Sequence, residues 1–151
     1  LRVAATRRSG AEPGAKATSR AGVVGYSSRS RLDKLGVKPG MRVALVGLED
    51  AAFHRELRGR TTDVAEARPR QDTHMILFAV NRPAALKRLS SLQGSMRRDG
   101  AIWVLWPKRQ AHIKEDMIRA AAIAQGLVDI KVIAFSETLS GLKLVIPLAR
   151  R

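Results

Sequence analysis

The stretch "LVDIKVIAFSETLSGLKLVIPL", residues 127–148, decides the fold because it holds two strand-like segments with no helix between them. Each segment is eight or nine residues long and rich in β-branched and other apolar side chains, which is typical of a β-strand. The intervening "SETLS", residues 136–140, is polar and too short for the crossover that parallel neighbours need. The two segments are therefore predicted to pair as an antiparallel hairpin.

Upstream of this hairpin, strand-like runs alternate with helical segments. Near-continuous apolar strands indicate a sheet that helices cover on both faces, and strand–helix–strand alternation implies right-handed crossovers between parallel strands. The sequence thus predicts an α/β protein with a doubly wound, mostly parallel sheet and one reversed strand at an edge, in the C-terminal antiparallel hairpin. The four upstream strands are predicted at residues 41–47, 61–67, 73–80 and 101–107.

Short local signals predict where the helices and turns lie. Asp50 is placed to cap one helix, and Pro83 is placed in the first turn of another, where its missing N–H costs nothing. Asp99-Gly100 is predicted to form a turn into the strand that follows. The second helix is predicted to carry an apolar face made of Leu86, Leu89, Leu92 and Met96. Helix ends are predicted at Gly36, Gly59 and Gly126.

Composition bounds the class of protein. The 151 residues include 28 lysines and arginines against 13 aspartates and glutamates, which gives a net charge of +15, and there is no cysteine. Disulfides and cysteine-based zinc sites are therefore excluded, and no apolar run is long enough to span a bilayer. We expect a soluble, cytoplasmic protein without a membrane partner. Residues 1–22 are expected to form a disordered basic tail, and residues 23–151 a single α/β domain.

Two resemblances follow from these patterns. Residues 37–148 resemble the Rossmann-like methyltransferase fold, shortened between Thr61 and Asp72, where a complete member would have another strand and helix. Gly25-Tyr26-Ser27, Trp106-Pro107-Lys108 and residues 140–143, Ser-Gly-Leu-Lys, occur in the same order as in a family of small bacterial proteins classed as a domain of unknown function. This second resemblance implies a fold and a bacterial source, and no established activity.

In an open parallel sheet, ligands bind beyond the carboxyl ends of the strands, near the point where the strand order reverses. The first strand is followed by a single glycine and by Glu49 and Asp50, whose charges oppose a pyrophosphate, so NAD, FAD and ATP are not expected there. Three histidines without metal-ligand spacing predict neither a metal site nor a catalytic centre. The candidate ligand-binding residues are Gly47, Glu66, Trp106, Lys108, Ser140 and Lys143.

Three functions stay open on the sequence alone. The main interpretation is a non-catalytic domain, or one that binds a small ligand at the carboxyl ends of the strands, without a resident cofactor. The first alternative is an S-adenosylmethionine-dependent methyltransferase in which Gly47 and Glu66 hold the cofactor. The second is a basic nucleic-acid-binding protein, which the charge favours but the low aromatic content of 4% does not. Trp106 can line a ligand pocket or simply pack beneath a solvated basic loop. The oligomeric state is not determined by the sequence.

Overall fold

A computed structural model describes residues 30–151, so the predicted tail and Gly25-Tyr26-Ser27 lie outside the described residues. No helix within residues 30–151 combines the length and the apolar composition needed to cross a membrane. Short 3₁₀ helices cover Pro83–Arg88 and Leu148–Arg150. The α-helices are α1 (Arg31–Leu35), α2 (Ala51–Arg58), α3 (Leu89–Ser95) and α4 (Glu115–Ala124). The strands are β1 (Val43–Val46), β2 (Val64–Glu66), β3 (Thr73–Ala79), β4 (Met96–Pro107), β5 (Val128–Ala134) and β6 (Leu139–Val145).

The strands form one six-stranded sheet in the order β2-β1-β3-β4-β6-β5. The pairs β1–β2, β1–β3 and β3–β4 are parallel, whereas β6 runs antiparallel to both β4 and β5. The predicted fold class is confirmed, with one correction: the reversed strand β6 lies inside the sheet, and β5 occupies the edge. Because β6 buries apolar side chains while β5 carries the partly or fully exposed Asp129 and Lys131, the interior position suits β6 better.

Two apolar clusters cover the two faces of the sheet, since successive side chains of a strand point to opposite faces. Ile76, Val104 and Ile118 belong to the cluster that packs against α3 and α4. Phe53 and Trp103 belong to the other cluster, which packs against α1 and α2. The two tryptophans of β4, at odd and even positions, therefore lie on opposite faces.

Most predicted helix boundaries agree with the structure. The Oδ1 atom of Asp50 accepts a hydrogen bond from the backbone N–H of Phe53 at 3.0 Å, which caps α2. Gly36 follows α1 with a φ of +89°, and Gly126 follows α4 with a φ of +77°, values that favour glycine. Between β2 and β3 the chain forms neither a further strand nor a helix, in agreement with the predicted shortening.

The predicted Asp99-Gly100 turn is wrong, because both residues lie inside the long strand β4. Thr73 of β3 pairs with Met96, but Met75 pairs with Ala101, so Arg97–Gly100 bulge out of the ladder. A Cβ atom at position 100 would lie 2.7 Å from the carbonyl oxygen of His74, so glycine permits this close approach of two backbones. The predicted apolar helix is likewise split, since its first half is 3₁₀ and Met96 already begins β4.

Candidate functional site

The carboxyl ends of β1 to β4 and the start of β6 meet along one border of the sheet, which we call the carboxyl rim. The strand order reverses at this rim between β1 and β3, because β2 lies on one side of β1 and β3 on the other. This is the kind of position at which the sequence predicts ligand binding. Such a position opens a crevice between the loops that leave the two strands.

Gly47 leaves β1 at the switch point with a φ of +76°. A Cβ atom there would lie 3.0 Å from the carbonyl oxygen of Ala79, so the residue brings two backbones into close contact. Gly47 also lines two cavities. The first, of about 470 Å³, extends toward Ala67, Arg68 and Arg88 and is called the β2-side cavity below. The second, of about 400 Å³, is called the hairpin-side cavity, and its lining includes Glu49, Asp50, Asn81, Pro107 and Leu139.

Glu66 ends β2 and is paired with residues of α2. Its Oε2 atom accepts a hydrogen bond from Nη2 of Arg58 at 2.6 Å, and its Oε1 atom lies 3.9 Å from Nδ1 of His54. The hydrogen bond and the charge of Arg58 lower the pKa of the Glu66 carboxyl, although the side chain is about half exposed. Glu66 is therefore an ionised acceptor at the carboxyl rim at neutral pH.

We expect Arg58→Gln to raise the pKa of Glu66 toward its ordinary value, because the substitution removes the guanidinium that holds the carboxylate. Carbon-detected NMR titration of the Glu66 carboxyl measures this change, and Arg55→Gln, at an exposed position of the same helix, is the matched control. Since the folded-state pKa is lowered, the small stabilisation from this pair is present above the unfolded pKa and is lost as the pH falls through the folded value. If the pKa of Glu66 is the same in Arg58→Gln as in the unmodified chain, Arg58 is not the cause of the lowered pKa.

Trp106, Lys108 and Ser140, three of the predicted site residues, line a single cleft of about 490 Å³, which we call the basic cleft. Ser140 pairs with Trp106 across the β4–β6 ladder, so the two side chains lie on the same face. The backbone N–H of Lys108 donates to the carbonyl oxygen of Thr138 at 2.9 Å, which ties the loop after β4 to the hairpin. Arg109, Gln110, Lys114 and Glu115 complete the polar lining.

Lys143 does not join the basic cleft. It pairs with Trp103 and lies on the opposite face of the sheet, because it is three positions along the strand from Ser140. Its Nζ atom lies 5.9 Å from the Trp103 ring centroid. Burial, and secondarily the charge of Lys131, lower the pKa of Lys143. Lys143 thus contributes to packing near α1 and not to the carboxyl rim.

Several residues of the rim were not predicted from the sequence. Arg68 follows β2, and Lys114 immediately precedes α4, and neither stands in a recognisable motif. One wall of the β2-side cavity could have been predicted. It is lined by three residues that recur at helical spacing in the sequence, Arg88, Ser91 and Ser95. Two histidines contact backbone groups. Nε2 of His112 lies 2.8 Å from the carbonyl oxygen of Asn81, and Nδ1 of His74 accepts a hydrogen bond from the backbone N–H of Arg42.

Comparisons with known proteins identify the fold. No family model matches the sequence, and no curated protein matches it. Among solved structures, magnesium protoporphyrin IX methyltransferase from Synechocystis PCC 6803 with bound SAH has a TM-score of 0.55 and 10% identity, over 77% of this chain and 78% of that one. Ribosomal protein L11 methylase from Lactobacillus delbrueckii subsp. bulgaricus has a TM-score of 0.51 and 15% identity, over 77% and 74%.

A protein of the NADB-Rossmann superfamily from Streptococcus agalactiae has a TM-score of 0.53 and 12% identity, over 80% of this chain and 69% of that one. At such identities the likeness concerns the fold alone. The chain therefore has the Rossmann-like, methyltransferase-like architecture that its sequence pattern resembles.

Proposed function

We propose that this chain binds S-adenosylmethionine at the carboxyl rim, around Gly47, and acts as a methyltransferase. The observation that carries the proposal is the position of Gly47, which lines a cavity on each side at the switch point of the sheet. Its positive φ and its close approach to Ala79 leave no room for a side chain, so the chain turns sharply where β1 ends. Because this turn carries no side chain, a ligand in either cavity can approach the backbone at the end of β1.

The charges around the hairpin-side cavity fit this cofactor. S-adenosylmethionine has no phosphate, and its two cationic groups, the sulfonium and the amino group, outweigh its single carboxylate. Glu49 and Asp50 both line this cavity, and Glu49 is exposed, whereas the Asp50 carboxylate already caps α2. We assign the cofactor's methionine portion to this cavity, with Glu49 facing the amino group.

The β2-side cavity suits the adenosine portion. Ala67 lines this cavity and directly follows Glu66, whose carboxylate stands at the carboxyl end of β2. The Glu66 side chain does not line this cavity itself, because it faces Arg58 and His54 of α2. We assign it to a ribose that crosses the end of β2, where Oε1, 3.9 Å from Nδ1 of His54, keeps acceptor positions for hydroxyls. Gly47 then lies between the two portions of the cofactor.

Bound S-adenosylmethionine supplies an electrophilic methyl group, and the roles we assign to this chain are to hold the cofactor and to shield it from water. The likeness of the fold to methyltransferases supports this function over a domain without a cofactor. A domain that binds a different small ligand at the same rim becomes one outcome of the test below.

Calorimetric titration of the full chain with S-adenosylmethionine tests the proposal. We expect saturable binding with a Kd on the order of micromolar, equivalent to about 8 kcal/mol. Glu49→Gln and Glu66→Gln are each expected to weaken binding about tenfold, because each removes a charged hydrogen-bond acceptor. Asp99→Asn is the control. Asp99 is an exposed acid in the bulge of β4, far from the carboxyl end of that strand, and this variant should bind the cofactor as the unmodified chain does. Absence of heat at millimolar cofactor, or equal affinity in all variants, would refute the proposal.

A further inference from the structure

We propose that the basic cleft binds the phosphate group of a small phosphomonoester. This cleft lies beside the proposed cofactor site and uses neither Gly47 nor Glu66. Trp106 and Lys108 line it, whereas Pro107 between them lines the hairpin-side cavity. The inference is therefore independent of whether the chain binds S-adenosylmethionine.

The charge of the cleft is positive and is not neutralised by the protein. Three cations line it, Lys108, Arg109 and Lys114. In residues 30–151 none of these three forms an ion pair with a carboxylate. The cleft also contains Glu115, but its carboxylate pairs with Arg119 one turn along α4. An anion entering the cleft thus meets three cations that have no carboxylate partner in the described part of the chain.

The floor of the cleft is apolar, which strengthens the attraction of these cations for an anion. The Trp106 side chain is 6% exposed, and Ile113 beside it is 1% exposed. A low-dielectric wall reduces the screening of neighbouring charges by water. The hydroxyl of Ser140 adds a neutral hydrogen-bond donor on the same side. Cations above an apolar floor, with one hydroxyl, match an anionic group attached to an apolar or aromatic body.

The backbone positions two of these cations at the edge of the cleft. Arg109 has a φ of +59°, a left-handed conformation that is uncommon for a residue with a side chain. The hydrogen bond from the N–H of Lys108 to Thr138 fixes the preceding residue against the hairpin. The loop after β4 therefore presents two adjacent basic side chains from a constrained backbone and not from a free tail.

A phosphomonoester matches the cleft better than other anions do. It carries about −1.5 to −2 charges at neutral pH and three acceptor oxygens, so it can engage three cations at once. A carboxylate has one charge and two oxygens, and each phosphodiester of a nucleic acid has one charge. The volume of about 490 Å³ is within the range of small-molecule pockets.

Titration with phenyl phosphate and with inorganic phosphate, in the absence of S-adenosylmethionine, tests the inference. We expect both probes to change the tryptophan fluorescence of the full chain, and phenyl phosphate to bind more tightly than benzoate. Trp106→Phe should abolish the fluorescence change, because the remaining Trp103 is fully buried on the opposite face. Lys108→Gln and Lys114→Gln should each raise the Kd about fivefold, as expected for the loss of one charge near the anion.

The control is Lys38→Gln, at an exposed turn before β1, which should leave the Kd unchanged. Calorimetry on the same lysine variants gives the Kd without relying on Trp106. Equal affinity in the Lys108, Lys114 and Lys38 variants would overturn the inference. So would binding of an oligothymidylate that weakens steeply with salt while phenyl phosphate fails to bind. Because Glu66→Gln should not alter phosphate binding, failure here is distinguishable from failure of the cofactor proposal.

Discussion

Replacing Trp103 with alanine is expected to lower the free energy of unfolding by about 4 kcal/mol. The side chain is 0% exposed and lies in the apolar cluster that packs against α1 and α2. Its indole N–H donates a hydrogen bond to the carbonyl oxygen of Leu35 at 3.0 Å, which joins the centre of the sheet to the end of α1. Truncation therefore creates a large cavity and leaves a buried carbonyl without its donor. A loss of this size is a large fraction of the stability of an ordinary domain.

Urea denaturation followed by far-UV circular dichroism measures this loss, with Trp103→Phe as the matched variant. Phenylalanine fills most of the space but offers no donor to Leu35, so we expect a smaller loss of about 1 to 3 kcal/mol. Trp106→Ala should cost less than Trp103→Ala, because Trp106 borders the basic cleft. A Trp103→Phe variant as stable as the unmodified chain would show that the hydrogen bond does not contribute.

The fold was predictable because strand periodicity and loop length are local properties. The short polar link at residues 136–140 requires a hairpin, and the structure contains one. The position of β6 between β4 and β5 was not predictable, because periodicity identifies a strand but not its neighbours. The prediction of a turn at Asp99-Gly100 was wrong for a related reason. In the sequence, a glycine that allows backbone contact with His74 cannot be distinguished from a glycine in a turn.

The site shows the same division between local and tertiary information. Trp106 and Ser140 lie together because hairpin pairing relates them directly. The face of Lys143 could have been predicted, since a residue three positions from Ser140 in one strand lies on the opposite face. The two were grouped because both belong to the Ser-Gly-Leu-Lys stretch of the hairpin. The pairing of Glu66 with Arg58 could not be predicted from the sequence, because it depends on the rotation of α2 relative to the sheet.

Gly47→Ala is expected to weaken S-adenosylmethionine binding more than tenfold while lowering the free energy of unfolding by about 1 to 2 kcal/mol. The stability loss follows from forcing a side chain into a φ of +76°. The loss of affinity has a separate cause, because the added Cβ atom would lie 3.0 Å from the Ala79 carbonyl oxygen, and relief of that contact must move the loop that lines both rim cavities. Calorimetric titration and urea denaturation of the same preparation measure the two effects.

Gly40→Ala separates backbone strain from disruption of the site. Gly40 has a φ of +84°, so alanine there carries a similar conformational penalty, but no atom lies within 4 Å of its added Cβ. Gly40 also precedes β1, at the end of the sheet opposite the carboxyl rim. We expect both variants to lose stability through the positive φ, Gly47→Ala the more because of its contact with Ala79, and only Gly47→Ala to lose the cofactor. If both variants lose affinity equally, the loss is caused by reduced stability and not by disruption of the site. If Gly47→Ala keeps its affinity, the cofactor does not bind at the end of β1.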